Sequence, residues 1–270
     1  MIERAPPPPD LSSWVEAFSA RSLVARRAAL PIFPSARAEL VFHFGDPFLV
    51  GDDDSSDLRP LPRAAVLGPR RRLYWQRAGP RIDWLIVQMT PLGCRALLGC
   101  RFADLWSREI PLADLWGAAA AELHERLACA ASFADKAAIA AAALRALARP
   151  ARGDAAVSRL VGLARRGRVR NAAAMADLEG IGPRRLRQRF DEEVGLGPKH
   201  FLSLMRFGRL LASTHPRPWM SAPELGAEYA DESHAIREFR RFAGTTPGAY
   251  RAAKSSGDDL VFTGAAIPLD

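Results

Sequence analysis

Cysteine is scarce in this chain, and the three present, Cys94, Cys100 and Cys129, form no C-x-x-C pair. An odd count at these spacings excludes a disulfide framework and a cysteine-built zinc site, and it fits a reducing compartment. No run of 18 or more apolar residues occurs, and MIERAPPPPD carries no apolar h-region after its charges. The expectation is therefore a soluble, cytoplasmic chain with no membrane partner. Catalytic constellations are missing too. His43, His124, His200, His215 and His234 form no H-E-x-x-H and no pair at ligand spacing, and there is no G-x-S-x-G or P-loop. Gly195-Leu-Gly197 is a turn fragment and not a dinucleotide fingerprint. Nothing here calls for an enzyme, a cofactor or a metal.

Lysine is also rare, so the net charge of +8 is carried almost wholly by arginine. Its location is informative. Lys+Arg against Asp+Glu runs 19 to 16 over residues 1–150, 19 to 11 over 151–254, and none to 3 over 255–270. A basic excess confined to the last third predicts a polyanion partner for that region. Hydrophobic residues at 49% and charged residues at 25% are otherwise ordinary for a globular chain, and 270 residues suffice for two domains.

Residues 6–9 are four prolines, which predict an extended, partly disordered leader over 1–28. From 29 to 110 the pattern is of short strands: ELVFHF at 39–44, RAAVLG at 63–68, RLYWQ at 72–76 and IDWLIVQM at 82–89. They are rich in β-branched and aromatic residues and separated by Gly, Pro and Asp, as in a small β barrel or sandwich. The acidic run Asp52–Asp54 with Asp57 lacks the spacing of a calcium loop and reads as a solvated loop. Thr90 and Pro91 predict a capped short helix through Leu97 and Leu98, stopped by Gly99. Over 111–150 the apolar spacing turns helical, through Leu112, Leu115, Trp116, Ala119, Leu123 and Leu127 and then an alanine-rich stretch. This helical subdomain packs on the β domain or also serves as a dimer interface. Arg149–Gly153 breaks the helix and marks a domain boundary, and the tail runs over 255–270.

Residues 151–254 open with an amphipathic helix over 155–166. NAAAMADLEGIGPRRLRQRF at 171–190 then reads as helix, turn, helix: Met175 and Leu178 share a face, Gly180 stops the first helix and Pro183 starts the second. Leu186 and Phe190 make that helix's apolar seam, leaving Arg184, Arg185, Arg187, Gln188 and Arg189 elsewhere. Arginine matches guanine O6/N7 and glutamine matches adenine N6/N7, so such a face has major-groove chemistry as well as the plainer option of a solvated charged surface. A longer helix follows Gly197-Pro198, with Phe201, Leu204, Met205 and Leu211 on one side. The pattern then repeats. Pro223 to Glu228 is a short helix, Asp231 a cap, and Glu232 to Phe242 a second helix with a seam of Ala235, Phe239 and Phe242.

With two such units about fifty residues apart, the chain resembles the AraC/XylS family of bacterial transcription regulators. The resemblance is carried by IGPRRLRQRFDEEVGLGPKHFLSLMRF at 181–207 and YADESHAIREFRRFAGTTPGAY at 229–250. In these stretches the spacing of Gly195, Pro198, Ser233, Arg237, Phe239, Phe242, Gly244, Pro247 and Tyr250 follows the family's C-terminal signature. Residues 65–99 look like the β-rich N-terminal domain of some members. The implied fold class is α+β: an N-terminal small β barrel or sandwich with a helical subdomain, then an all-α double helix-turn-helix domain.

The resemblance implies two recognition helices entering successive major grooves of double-stranded DNA, about 10 bp apart. It assigns base contacts to Arg184, Arg187 and Gln188 on the first helix and to Glu232, Ser233, Ile236 and Arg237 on the second. Arg185, Arg189, Arg240 and Arg241 are assigned to phosphates. It also implies a homodimer, a small-molecule effector acting through the N-terminal domain, and RNA polymerase as partner if the chain activates. Candidate effector contacts are His43, Tyr74, Trp75, Trp84 and Gln88. Departures from the family are Gly182 at a cap usually held by serine, Glu228 at a usual glycine, and Ala235 in place of a larger seam residue. The rival reading is a ligand- or metal-binding β barrel, or an enzymatic one, whose helical tail docks another protein.

Overall fold

The computed structural model describes residues 2–24, 29–51, 58–212, 229 and 231–250. The acidic run at Asp52–Asp57, the short helix expected at Pro223–Glu228 with its Glu228 departure, and the tail at 255–270 lie outside them.

Two antiparallel sheets form the N-terminal half. The first has the order β1-β2-β9-β4-β7-β10, with β1 Glu3–Ala5, β2 Val15–Val24, β4 Ala38–His43, β7 Ala64–Leu67, β9 Arg81–Met89 and β10 Glu109–Pro111. The second has the order β3-β8-β5-β6, with β3 Ala29–Ile32, β5 Leu49–Gly51, β6 Arg59–Pro60 and β8 Tyr74–Arg77. Its central strands β4 and β9 are buried on both faces along most of their length, which explains why ELVFHF and IDWLIVQM read as near-continuous apolar runs. Alternation sorts the side chains. Val41, Ile82, Trp84 and Ile86 face the second sheet, packing with Phe48, Val50 and Tyr74. Leu40, Phe42, Leu85, Val87 and Met89 face the helices. The arrangement is a sandwich of two open sheets, and no closed barrel forms among the described residues.

Within the extended leader expected over 1–28, Glu3–Ala5 and Val15–Val24 are instead strands of this sheet. Glu3–Ala5 pairs with Phe18–Ala20, and β2 lies inside the sheet, registered along β9 from Val15↔Met89 to Val24↔Arg81. The prolines only bridge the two strands, ending in a 3-10 turn at Pro9–Leu11 that buries Leu11 completely. A bulge between Val15 and Ala17 breaks the register at Glu16.

Thr90 caps helix α1, Pro91–Gly93, its hydroxyl accepting from the Gly93 amide at 2.9 Å. The chain continues as a wider turn, Cys94–Leu98, and stops at left-handed Gly99. A 3-10 turn at Phe102–Leu105 precedes α2 Ala113–Trp116, α3 Ala118–Ala128 and α4 Phe133–Leu147. Ala120, Leu123 and Leu127 of α3 and Ala140, Ala141 and Leu144 of α4 join the core under the first sheet. That core does not end at residues 149–153. It continues into α5 Ala155–Arg165, α6 Ala172–Leu178, α7 Pro183–Val194, α8 Pro198–Ala212 and α9 Glu232–Ala243.

Candidate nucleic-acid interface

The first helix pair forms for local reasons. The Asn171 side chain caps α6 by accepting from the Ala174 amide at 2.8 Å, and Gly180 at φ 60° turns the chain. Met175 is buried but Leu178, expected beside it, is 59% exposed. Gly182 occupies the cap of α7 without a side-chain acceptor, and Pro183 opens the helix. Leu186, Phe190 and Val194, spaced by four, are buried, with Phe190 edge-on to Phe201 of α8 at 5.8 Å. Arg184, Arg185, Arg187 and Gln188 are exposed. Arg187 lies 3.5 Å from Asp191, and the Gln188 amide donates to Glu192 at 3.0 Å, so both are braced by acids one turn on. Arg101, from the loop before the 3-10 turn, borders the same shallow concavity as Arg184, Arg187 and Gln188.

Arg189, expected on a phosphate, points the other way. Both arms of its guanidinium bond Asp154, the residue that caps α5 by accepting from the Val157 amide at 3.0 Å. Burial alone would raise the Asp154 carboxyl, but the Arg189 and Val157 hydrogen bonds hold it below the ordinary range. Arg189 therefore ties α7 to α5, whereas Arg184, Arg185 and Arg187 make no such tie among the described residues.

Helix α9 repeats the design. Asp231 caps it, accepting from the His234 amide at 2.6 Å, and left-handed Gly244 ends it. Ala235, Phe239 and Phe242 are buried, and Phe207 of α8 meets the last two at ring distances of 5.5 and 5.0 Å. Glu232, Ser233, Arg237, Arg240 and Arg241 are exposed and Ile236 is half-buried. Glu238, which sequence reading passed over, is the polar centre of this unit. Its buried carboxylate accepts from Ser203 at 2.6 Å, from Arg206 at 2.9 and 3.3 Å, and from Tyr229 at 3.1 Å. Burial opposes its charge, yet these donors hold its pKa below the usual value. A charge on the same helical face as Ala235, Phe239 and Phe242 was the available signal.

The N-terminal half grips the C-terminal end of α7. Arg95 makes a two-point pair with Glu193 at 3.0 and 2.7 Å. The Trp106 indole donates to the Val194 carbonyl at 2.5 Å, and Arg71 donates to the Gly195 carbonyl at 2.7 Å. These donors satisfy carbonyls that a helix end leaves open. Arg165 of α5 reaches the other way, to Glu16 at the β2 bulge and to the carbonyls of Ala36 at 2.5 Å and Met89 at 3.4 Å.

Of the five candidate effector contacts, one lines the cavity between the sheets. Tyr74 borders it with Arg37, Glu39, Arg70, Gln76 and Glu109, and its room is about 40 Å³. Trp84 is close-packed at 1% exposure, and Trp75 lies on the opposite face of β8, half-buried. Gln88 is buried and spent on Glu39, 3.3 Å across the strand pair. His43 is buried against Phe48 at a ring distance of 4.4 Å, and burial pushes its pKa down to about 3. Burial pushes the Glu39 carboxyl up, opposed by Arg37. Among the described residues no group of His, Cys, Asp or Glu is placed to hold a metal ion, and no helix is long and apolar enough to cross a membrane.

Residues 175–253 match the family described as "Helix-turn-helix domain", and residues 3–111 match "Domain of unknown function (DUF6597)". No curated protein matches the chain. Among solved structures the chain is similar to ToxT from Vibrio cholerae, at 11% identity and a TM-score of 0.47, covering 86% of this chain and 97% of that one. An unsaturated fatty acid-bound ToxT gives 9% identity, a TM-score of 0.45 and coverage of 86% and 93%. The AraC-like transcriptional activator CuxR gives 13% identity, a TM-score of 0.25 and coverage of 78% and 85%.

Proposed function

We propose that the chain is a transcriptional regulator of the AraC type that reads a specific DNA site with α7 and α9 of one monomer, a reading supported by the match of residues 175–253 to a helix-turn-helix domain. The observation that carries this is the division of α7. Its seam of Leu186, Phe190 and Val194 is buried while Arg184, Arg187 and Gln188 stand in solvent. On α9 the matching set is Glu232, Ser233, Ile236 and Arg237, with Glu232 suited to a cytosine amino group. Arg185, Arg240 and Arg241 contact phosphates and set affinity and its salt dependence. The N-terminal sandwich modulates this reader through a small-molecule effector or through a homodimer built on α3 and α4, and an activator of this design also meets RNA polymerase.

Selection of preferred duplexes from a random pool, at moderate salt, tests the reading. A defined motif with two elements one helical turn apart is expected. Arg187→Ala should then relax discrimination at one or two base pairs by about 1–3 kcal/mol. Arg241→Ala should weaken all sequences alike and flatten the salt slope. A pool that yields no motif, or identical behaviour of the two variants, refutes it.

A further inference from the structure

A cleft of about 650 Å³ opens where the first sheet meets the DNA-binding domain. One wall is the β1–β2 connection with Glu16, and the other is α5 and the turn after it. Its size falls in the range of about 300–1,000 Å³ typical of small-molecule sites. Five arginines line it, Arg4, Arg159, Arg165, Arg166 and Arg168, against the single carboxylate of Glu16. Glu16 is already spent on Arg165. Arg159 has Glu179. Arg166 and Arg168 are exposed and carry no ion pair among the described residues. At the floor Arg165 is only 3% exposed, and its Nε has no hydrogen-bond partner. Its terminal nitrogens are already given to Glu16, Ala36 and Met89, so Arg166 and Arg168 are the cations open to a ligand, and a phosphate or carboxylate is the group that matches a guanidinium fork.

We propose that this cleft is a binding site for a small organic anion bearing a phosphate or paired carboxylates, held by Arg166 and Arg168 above Arg165. No residue of α7 or α9 lines it, which separates it from the DNA face and favours a free ligand over a duplex phosphate. Seated there, the anion touches the β1–β2 connection on one side and α5 on the other. It thereby fastens the sandwich to the helix that Asp154 and Arg189 couple to α7. The site goes beyond the DNA-reading assignment. Failure of DNA selection would leave it standing, and its own failure would leave the recognition helices untouched.

The test is calorimetric titration of inorganic pyrophosphate into the full, DNA-free chain, with ionic strength held constant by sodium chloride. One saturable site with Kd below about 1 mM is expected. The Arg166→Ala/Arg168→Ala variant, altered only at exposed side chains, should weaken it at least tenfold while its thermal melt stays in place. Ser158→Asp, which adds a carboxylate to the α5 wall, should do the same. Arg185→Ala/Arg240→Ala on the DNA face should stay within twofold of the parent. No saturable binding, unchanged binding in the cleft variants, or an equal loss in the DNA-face variant would overturn the proposal.

Discussion

Arg189→Ala separates a structural arginine from the DNA-facing ones beside it. The side chain is 28% exposed and its partner Asp154 15%, so the pair is mostly screened from water by protein. Truncation removes two charge-assisted hydrogen bonds and leaves a carboxylate without its main counter-ion, though still bonded to the Val157 amide. Hydrogen bonds to charged groups are worth about 1.5–3 kcal/mol, and the residual exposure argues for the lower half, about 2 kcal/mol. In a chain of this length melting as one unit, each kcal/mol moves Tm by about 2–4 °C, so a fall of about 4–8 °C is expected by differential scanning calorimetry. Asp154→Ala should fall at least as far because it also removes the α5 cap. The double variant should fall short of the sum by about 1 kcal/mol or more, as contacting residues do. The dependence of DNA affinity on salt should keep its slope in Arg189→Ala, whereas Arg185→Ala should reduce it by about one unit. An unchanged Tm together with a flattened slope in Arg189→Ala would put the side chain on a phosphate and refute the reasoning.

Three further outcomes follow from the same geometry. Glu238→Gln keeps the shape of the Ser203–Arg206–Tyr229 cluster but not its charge, and should cost about 1–2 kcal/mol in urea titration. Because the folded pKa of Glu238 is depressed, its contribution is present above the unfolded value of 4.5 and is lost as pH falls through the lower folded value. Gly195→Ala should cost more than Gly180→Ala. Both glycines have positive φ, but a Cβ at 195 would sit 2.9 Å from the Trp106 ring and one at 180 would meet nothing. Equal losses would mean that the Trp106 contact is loose. His43, held neutral by a folded pKa of about 3 against 6.5, makes the parent lose stability as pH falls below about 6.5, by up to about 1.4 kcal/mol per unit. Melts of His43→Leu between pH 7 and 5 should show a shallower slope, and parallel slopes would sink the assignment.

What was legible in the sequence follows the range of the forces involved. The Thr90 cap, the stops at Gly99 and Gly180, the turn at Gly195, and the buried seams of α7 and α9 are local, set by a few neighbouring residues and a 3.6-residue period. The strands β4 and β9 were legible because burial on both faces left unbroken apolar runs. Strand β2 was not, since VEAFSARSLV gains its place from pairing with β9, far along the chain, and from β1 across a bridge of prolines. Arg189 shows the same limit at a single residue. Nothing within α7 distinguishes it from Arg185 or Arg187, and its commitment depends on Asp154, 35 positions away. The effector candidates are separated by facing and by packing: Trp84 faces the space between the sheets but is close-packed there, and Gln88 is bonded to Glu39. One step along β8 turns Trp75 away from the cavity that Tyr74 borders, and the charged residues that do line it were hidden among ordinary surface types.

The segment from Phe33 to Arg37 joins these pieces. Phe33, Ser35 and Arg37 line the cavity between the sheets. On its other side, Phe33 lies edge-on to Phe207 of α8 at 6.0 Å and to Tyr250 at 5.5 Å, and Tyr250 packs on Phe239 of α9. The Ala36 carbonyl takes the bond from Arg165 of α5, and Ser35 bridges to Arg70, whose guanidinium lies 3.5 Å over the Tyr74 ring. Through Phe33, Ser35, Ala36 and Arg37 this segment touches the cavity wall, helix α5 and the aromatic packing of α8 and α9. Close-packed interiors transmit displacement instead of absorbing it. The segment lies between the inter-sheet cavity and the packing of α5, α8 and α9. The face of α7 that carries Arg184, Arg187 and Gln188 stays exposed, so among the described residues the sandwich does not cover it.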